Sequence, residues 1–306
     1  MDTGEDLYAG ARVAYERIVA REAADDRIAW RTALMSHGRH TEDAFVLLHG
    51  LTASPAQFVE FGHMLHERGA NVLIPRLPRH GHARMSRVLA GLTTDELTAA
   101  ARESVGIARG LGERVTVAGF SVGGLMSAWV AQNIAVDRAV CIAPFLGIGW
   151  LPQALGPYLS RAALRLPNRF LWWHPLRRER YGPEHGYPRF STHAVGRAMQ
   201  FALDLVEAAR LRPPATKTIV LISNDSEATV DNRATEQLAS LWRAHPGVTV
   251  EVHRLKGLPR SHDIIEPRRR RPLAAVVYPA LLDILTRDHP EAAVGGGLCA
   301  SPCLPG

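Results

Sequence analysis

Apolar positions recur along this chain with two different spacings, and the switches between them divide it into strands and helices. Residues 5–24 place Leu7, Ala11, Ala14, Tyr15, Ile18 and Val19 on one stripe, which predicts an amphipathic first helix. Residues 27–36 and 44–49 read as two strands across the polar turn HGRHTED. The second of these, AFVLL, is apolar without alternation, as a strand covered on both faces must be. After His49-Gly50-Leu51-Thr52, Ser54 predicts an N-cap and Pro55 a first helical position, with Phe58, Phe61, Met64 and Leu65 on the buried stripe. The strand NVLIP follows, and Thr93 with Glu96 then predicts a capping box for a helix ending near Gly110. Further strands are read at Val115 to Ala118, RAVCIAP, KTIVLIS and VTVEVHRL, and further helices after Ser121 and at TEQLASLWRAH and RPLAAVVYPALLDILTRD. Strands alternating with helices in this way predict an α/β fold with a mainly parallel central sheet and helices on both faces.

Between Pro144 and Thr216 that rhythm breaks. Nine prolines leave room only for short helices, the clearest being THAVGRAMQFALDLVEAARL, among bulky clusters such as Trp150-Leu151, Tyr158-Leu159, Phe170 to Trp173 and Tyr187. Residues 144–216 are therefore expected to form a helical cap inserted over the carboxyl edge of the sheet. Residues 1–143 and 217–290 then make the core, and 291–306 a disordered tail.

Composition narrows the setting. A chain of 306 residues with 46% hydrophobic content suits one α/β domain plus an insertion. Its charged amino terminus lacks the apolar core of a secretory signal, and no stretch reads as a membrane span. Cys141 sits in an apolar strand while Cys299 and Cys303 lie in the tail, a pattern expected of a reducing cytoplasm, with no ligand set for a metal. The net charge of +6 is spread out except at Arg268 to Arg271, a run without aromatic interleaving that reads as a solvated loop, so no nucleic-acid partner is expected.

The stretch with the most chemistry is RVTVAGFSVGGLMSAWVAQ. An apolar strand passes through Gly119-Phe120-Ser121-Val122-Gly123-Gly124 into helically spaced Leu125, Met126, Ala128, Trp129 and Val130. Such a turn lifts Ser121 above the sheet edge, and the glycines let strand and helix approach closely. A serine hydroxyl needs a general base near neutral pH. His262 is preferred, because it follows VTVEVHRL after a short loop; His253 lies within the strand itself. The base in turn needs a carboxylate to fix its tautomer. The loop SNDSEATVDN offers three, and Glu227 is preferred on reach. Asp225 is the alternative acid, more suited to bonding the loop's own amides, and Asp231 suits a cap for the next helix. Backbone amides of Val122 and Leu51 are the expected oxyanion donors, with His49 structural.

In this order, LLHGLTASPAQF, NVLIPRLPRHGH, GFSVGG, an inserted segment, an acidic loop and SHD resemble the α/β-hydrolase superfamily, and within it the carboxylesterase and monoacylglycerol-lipase-like branch, over about residues 40–290. The resemblance implies a serine-histidine-acid triad, no cofactor, and hydrolysis of carboxylic esters with a short to medium acyl chain as small-molecule substrates. Thioester or C–C hydrolysis and acyl transfer use the same triad, and a non-catalytic ligand-binding homologue is the reading from a different class. Two positions depart from the pattern. Arg79 stands where such enzymes often have glycine, and the acid is read as glutamate where they usually have aspartate.

Overall fold

The computed structural model describes residues 3–83, 86–173, 185–268 and 273–287. Its first helix, α1 (Gly4–Ala23), opens with a capping box between Thr3 and Asp6. Strand β1 (Ala33–Met35) follows, shorter than the strand expected over 27–36. The amides of Ala29 and Trp30 both donate to the Gly81 carbonyl at 2.9 Å, and Ile28 makes an isolated bridge to His82, so this stretch follows a loop instead of a strand. Then come β2 (Thr41–Leu48), α2 (Val59–His66), β3 (Asn71–Ile74), α3 (Thr94–Leu111), β4 (Gly112–Phe120), α4 (Val122–Asn133) and β5 (Arg138–Ile142). The box at Thr93 and Glu96 caps α3. Ser54 precedes a short 3-10 helix, Pro55–Phe58, but its hydroxyl caps no amide there.

The inserted stretch contains α5 (Gly156–Arg165), a two-stranded antiparallel pair of β6 (Phe170–Trp172) with β7 (Arg189–Ser191), and α6 (Thr192–Leu211). The regular rhythm then resumes with β8 (Thr218–Asn224), α7 (Asn232–Arg243), β9 (Thr249–Leu255) and α8 (Ala274–Thr286). Of the tetra-arginine run, only Arg268 is described; Cys299, Cys303 and the expected tail at 291–306 lie outside the described residues.

Seven strands form one sheet in the order β1-β3-β2-β4-β5-β8-β9. Only β1 runs antiparallel to its neighbour. Side chains alternate between two cores, as the two-residue strand period requires. In β2, Ala44, Val46 and Leu48 face the layer containing α1, α3, α4, α6 and α7, while Phe45 and Leu47 face α2 and α8. Burial on both sides explains why β2, β4, β5 and β8 read as unbroken apolar runs. The result is a mostly parallel sheet with helices on both sides.

Helix α6 belongs by packing to the first of these layers: Ala194, Ala198, Phe201, Ala202, Leu205 and Ala209 are buried in the same core as α3 and α4. The rest of the insertion is more open. Trp150, Leu155, Tyr158, Leu159, Leu166 and Leu171 are exposed, and together they account for most of the large apolar side chains at the surface among the described residues.

Because β2, β4, β8 and β9 are parallel, the loops that follow them leave the sheet at one edge. β3 and β4 flank β2 on opposite sides, so the connections diverge there and open a crevice at the carboxyl ends of the strands.

Gln132 in α4 ties three parts of the helical layer together. Its Oε1 accepts from Trp242 Nε1 at 2.7 Å, and its Nε2 donates to the carbonyls of Arg212 and Pro213 at 3.1 and 3.2 Å. Trp242 and Gln132 are fully buried. Gln132→Met keeps the volume and strands those partners, so urea unfolding should show a loss of about 1–3 kcal/mol, the cost of leaving a buried polar group unpaired. An unchanged urea midpoint would mean that the bond contributes nothing to stability.

Candidate active site

Ser121 joins β4 to α4 with φ 58° and ψ −115°, in the region that side chains other than glycine avoid. Its neighbours explain how that conformation is held. The Ser121 amide donates to the Ile142 carbonyl at 3.0 Å, and its own carbonyl accepts from Leu125 and Phe145 at 2.9 and 3.0 Å. A methyl group added at Gly123 would lie 2.0 Å from the Leu48 carbonyl oxygen, and one at Gly119 2.1 Å from the Gly123 carbonyl oxygen. Glycine at these two positions is thus a condition for helix α4 to start against β2 and β4 at all.

The Ser121 hydroxyl lies 2.8 Å from His262 Nε2, and His262 Nδ1 lies 2.8 Å from Glu227 Oε2. Glu227 Oε1 accepts from the amides of Ala228 and Thr229 at 2.8 and 2.6 Å. Its carboxylate is fully buried beside a His262 ring that keeps 17% of its surface open. Burial pushes the Glu227 carboxyl up. The hydrogen bond and charge of His262 and the two amides outweigh that, and its pKa falls below the ordinary glutamate range. A carboxylate that stays ionised accepts a hydrogen bond from Nδ1–H and leaves Nε2 free to accept from the serine. The Phe120 ring packs against the imidazole, centroids 4.9 Å apart.

The other carboxylates of that loop lie elsewhere. Asp225 is exposed, and its amide donates to the Leu255 carbonyl at 3.0 Å. Asp231 caps α7 through the Arg233 amide at 2.9 Å. His253 pairs with Glu251 within β9 at 3.0 Å.

Facing Ser121 is the loop after β2. A methyl group on Gly50 would stand 3.5 Å from Ser121 Cβ, so this loop passes directly beside the serine. The Gly50 amide is consumed by Gln57 Oε1 at 2.9 Å, which leaves Leu51 as the next donor along the loop. The Val122 amide, at the first position of α4, has no intrahelical acceptor and lies at the positive end of the helix dipole. His49 is fully buried and holds the turn from behind: it accepts from the Leu77 amide on Nε2 at 3.1 Å and donates from Nδ1 to the Gly50 carbonyl at 3.0 Å. Burial holds its pKa well below the ordinary histidine range, so the ring is neutral.

Residues 45–277 match the alpha/beta hydrolase family, over more than half of the chain. The chain belongs to that family. A search of curated protein sequences finds no match. Solved structures show the same fold at low identity. A structure of the metagenome-derived lipolytic enzymes LipS and LipT is 15% identical, with a TM-score of 0.64, covering 84% of this chain and 97% of its own. Monoacylglycerol lipase of Paleococcus ferrophilus is 16% identical, with a TM-score of 0.59 and coverages of 83% and 97%. A soluble variant of monoglyceride lipase from Saccharomyces cerevisiae, bound to a substrate analog, is 14% identical, with a TM-score of 0.62 and coverages of 83% and 90%.

Within this alpha/beta hydrolase, both departures noted in the sequence have a local account. Arg79 has φ 64°, the conformation glycine favours, and its guanidinium is held by Glu96 at 3.0 Å. Glu227 reaches His262 while two amides of its own loop hold its other oxygen. No helix among the described residues is long and apolar enough to cross a membrane. Sequence reasoning missed Asn224. Its Nδ2 donates to the carbonyls of Pro259 and Ser261 at 2.9 and 3.0 Å, and its Oδ1 accepts from the Ser226 amide at 3.1 Å, so it joins the acid loop to the loop bearing His262. An asparagine at a strand end reads as an ordinary turn residue, and nothing in its spacing singles it out. A cavity of about 270 Å³ lies between α6, α7 and the start of the insertion, lined by Leu146, Ile148, Met199, Leu203 and Val206; neither Ser121 nor His262 lines it.

Gly123→Ala should destabilise the hydrolase at the upper end of the about 1–3 kcal/mol that overpacking costs, or beyond, because the clashing atoms are backbone carbonyls. Gly106→Ala in α3, where nothing lies within 4 Å, should instead stabilise by about 0.5–1 kcal/mol. Thermal midpoints of the two variants on opposite sides of the wild type would bear out this account of the turn; equal midpoints would refute it.

Proposed function

We propose that this alpha/beta hydrolase cleaves carboxylic esters of short to medium acyl chain, monoacylglycerol-like esters among them, through an acyl-enzyme intermediate. The observation that carries the reading is the hydrogen-bonded line from Glu227 through His262 to a serine held above the sheet edge. Ser121 Oγ attacks the ester carbonyl as His262 Nε2 takes its proton. The tetrahedral oxyanion is stabilised by the Val122 and Leu51 amides, and the imidazolium by Glu227. His262 then protonates the departing alkoxide, and a water activated by the same histidine releases the acid. No cofactor enters any of these steps.

Substrate class is read from the insertion, which serves as a cap over the site. Its open side chains, Trp150, Leu155, Tyr158, Leu159 and Leu171, suit an apolar substrate. The lipolytic activities named for the structural neighbours agree with such a substrate.

Labelling with a fluorophosphonate, combined with turnover of p-nitrophenyl esters, tests the chemistry. Ser121→Ala and His262→Ala should each lose about 10³-fold or more in kcat, and Glu227→Gln up to about 10⁴-fold, while remaining folded. Asp225→Asn should stay within a few-fold of wild type. A Glu227→Gln enzyme as active as wild type would remove the acid from this scheme. Labelling of Ser121 without ester turnover would redirect the proposal to thioester, C–C or acyl-transfer chemistry, and an unlabelled protein would make it a binding protein.

Chain length tests the substrate. Each buried methylene contributes about 0.8 kcal/mol, so kcat/KM should rise from acetate toward the medium-chain esters. A profile that is flat or falls from the two-carbon to the eight-carbon acyl group would count against an apolar acyl site.

A further inference from the structure

A second hydrogen-bonded line of the same three residue types lies behind the site. Ser54 Oγ is 2.9 Å from His185 Nδ1, and His185 Nε2 is 2.6 Å from Glu266 Oε2. Relative exposures are 0% for Ser54, 1% for His185 and 2% for Glu266, so no substrate reaches this serine and the line is not a second nucleophilic centre. What matters is where its ends are attached. Ser54 stands three residues after Leu51, on the loop that passes beside Ser121. Glu266 stands four residues after His262; its amide donates to Asp263 Oδ1 at 3.2 Å, and its other oxygen accepts from the Arg268 amide at 3.1 Å. His185 comes from neither loop. It lies within the insertion, on the stretch that leads into β7, and the Trp30 ring packs edge-on against it with centroids 5.8 Å apart.

The same stretch grips the first loop at further points. The Tyr187 amide donates to the Thr52 carbonyl at 2.7 Å, and the Tyr187 hydroxyl donates to the Arg79 carbonyl at 2.9 Å. From the other side of the insertion, Trp173 Nε1 donates to Thr52 Oγ1 at 2.9 Å. Thr52 itself has φ 67°, a costly conformation for a β-branched residue that persists only where its surroundings impose it. The loop carrying Leu51 is therefore held in a strained shape partly from outside, by the insertion.

We propose that His185 is a positioning residue: by bridging Ser54 to Glu266 it fixes the loop of the oxyanion donor Leu51 relative to the loop of the general base His262. The proposal rests on the serine-hydrolase reading above. With Glu266 as a carboxylate, which can only accept, Nε2 of His185 carries the hydrogen, and Nδ1 accepts from the Ser54 hydroxyl. The bridge moves no proton in the reaction. It sets a distance, and a misplacement of about 1 Å between reacting groups costs on the order of 10²-fold in rate.

The test measures kcat and KM for a p-nitrophenyl ester in the full chain, with active sites counted by fluorophosphonate titration run to completion, and thermal midpoints alongside. His185→Phe keeps the ring against Trp30 and breaks both bonds; Ser54→Ala breaks one bond with the smallest change and carries the test if the phenylalanine variant fails to fold. Each should lose about 10- to 100-fold in kcat per titrated site with KM changed by less than about three-fold. The double variant should be no slower than His185→Phe alone, since one bridge is broken in both. A purely structural bridge would lower the thermal midpoint and the fraction of titratable sites while kcat per site stayed within two-fold of wild type, and that result overturns the proposal. A wild-type protein inert to both probe and ester would instead overturn the serine-hydrolase reading, and the positioning role with it.

Discussion

Between β4 and α4 the chain has to leave the sheet and start a helix within one residue, and Ser121 takes that turn at positive φ. The conformation is possible because Gly119 and Gly123 bring backbone against backbone at distances no side chain would tolerate. It is stable because three hydrogen bonds to the Ser121 peptide units, from α4 and to and from the end of β5, leave that backbone no other place to go. Strain at one residue is thus offset by packing of α4 against the central strands β2 and β4. The same geometry opens α4 with the Val122 amide beside the Ser121 hydroxyl, so both groups come from one turn.

Everything else near Ser121 is brought to it by loops, and loops need to be held. The loop after β2 is fixed from within by His49 and Gln57 and from without by the stretch containing His185 and Tyr187. The His262 loop is fixed by Asn224 at one end and by Glu266 at the other. Neutral or ionised side chains buried behind the site carry most of these bonds. This fits the general cost of leaving such groups unpaired: each one that is satisfied also removes a way for the loop to move.

The order of strands and helices was legible in the sequence because both faces of the central strands are covered, which leaves apolar runs that polar turns punctuate. Helices α3 and α6 were legible to within a few residues, the first because Thr93 and Glu96 announce its start, the second because Leu211 ends its apolar stripe before Pro213. The stretch over 27–36 misled because β propensity says nothing of whether a partner strand is present, and β3 ends at Ile74. The glycines around Ser121 are a weak signal alone, and it was their place between a strand and a helix, with His262 after a later strand and Glu227 preferred over Asp225 on reach, that singled the residues out. His185, Glu266 and Asn224 carry none: their partners lie far away in sequence, and a histidine in a proline-rich stretch looks like any other. Side chains that work through long-range bonds are written into the topology, and no spacing rule reaches them.

Ser121 and His262 are 141 residues apart, Ser54 and His185 are 131 apart, and His185 and Glu266 are 81 apart. Each of these closures joins parts of the chain that only the assembled sheet brings together, so the site depends on long-range contacts. β9 lies at the edge of the sheet, paired on one side only, and it carries the loop with His262. At such an edge, local opening would part His262 from Ser121 before the central strands are disturbed. A probe of the His262–Ser121 contact would therefore report on the docking of the last strand, while helical circular dichroism would report on the rest of the fold.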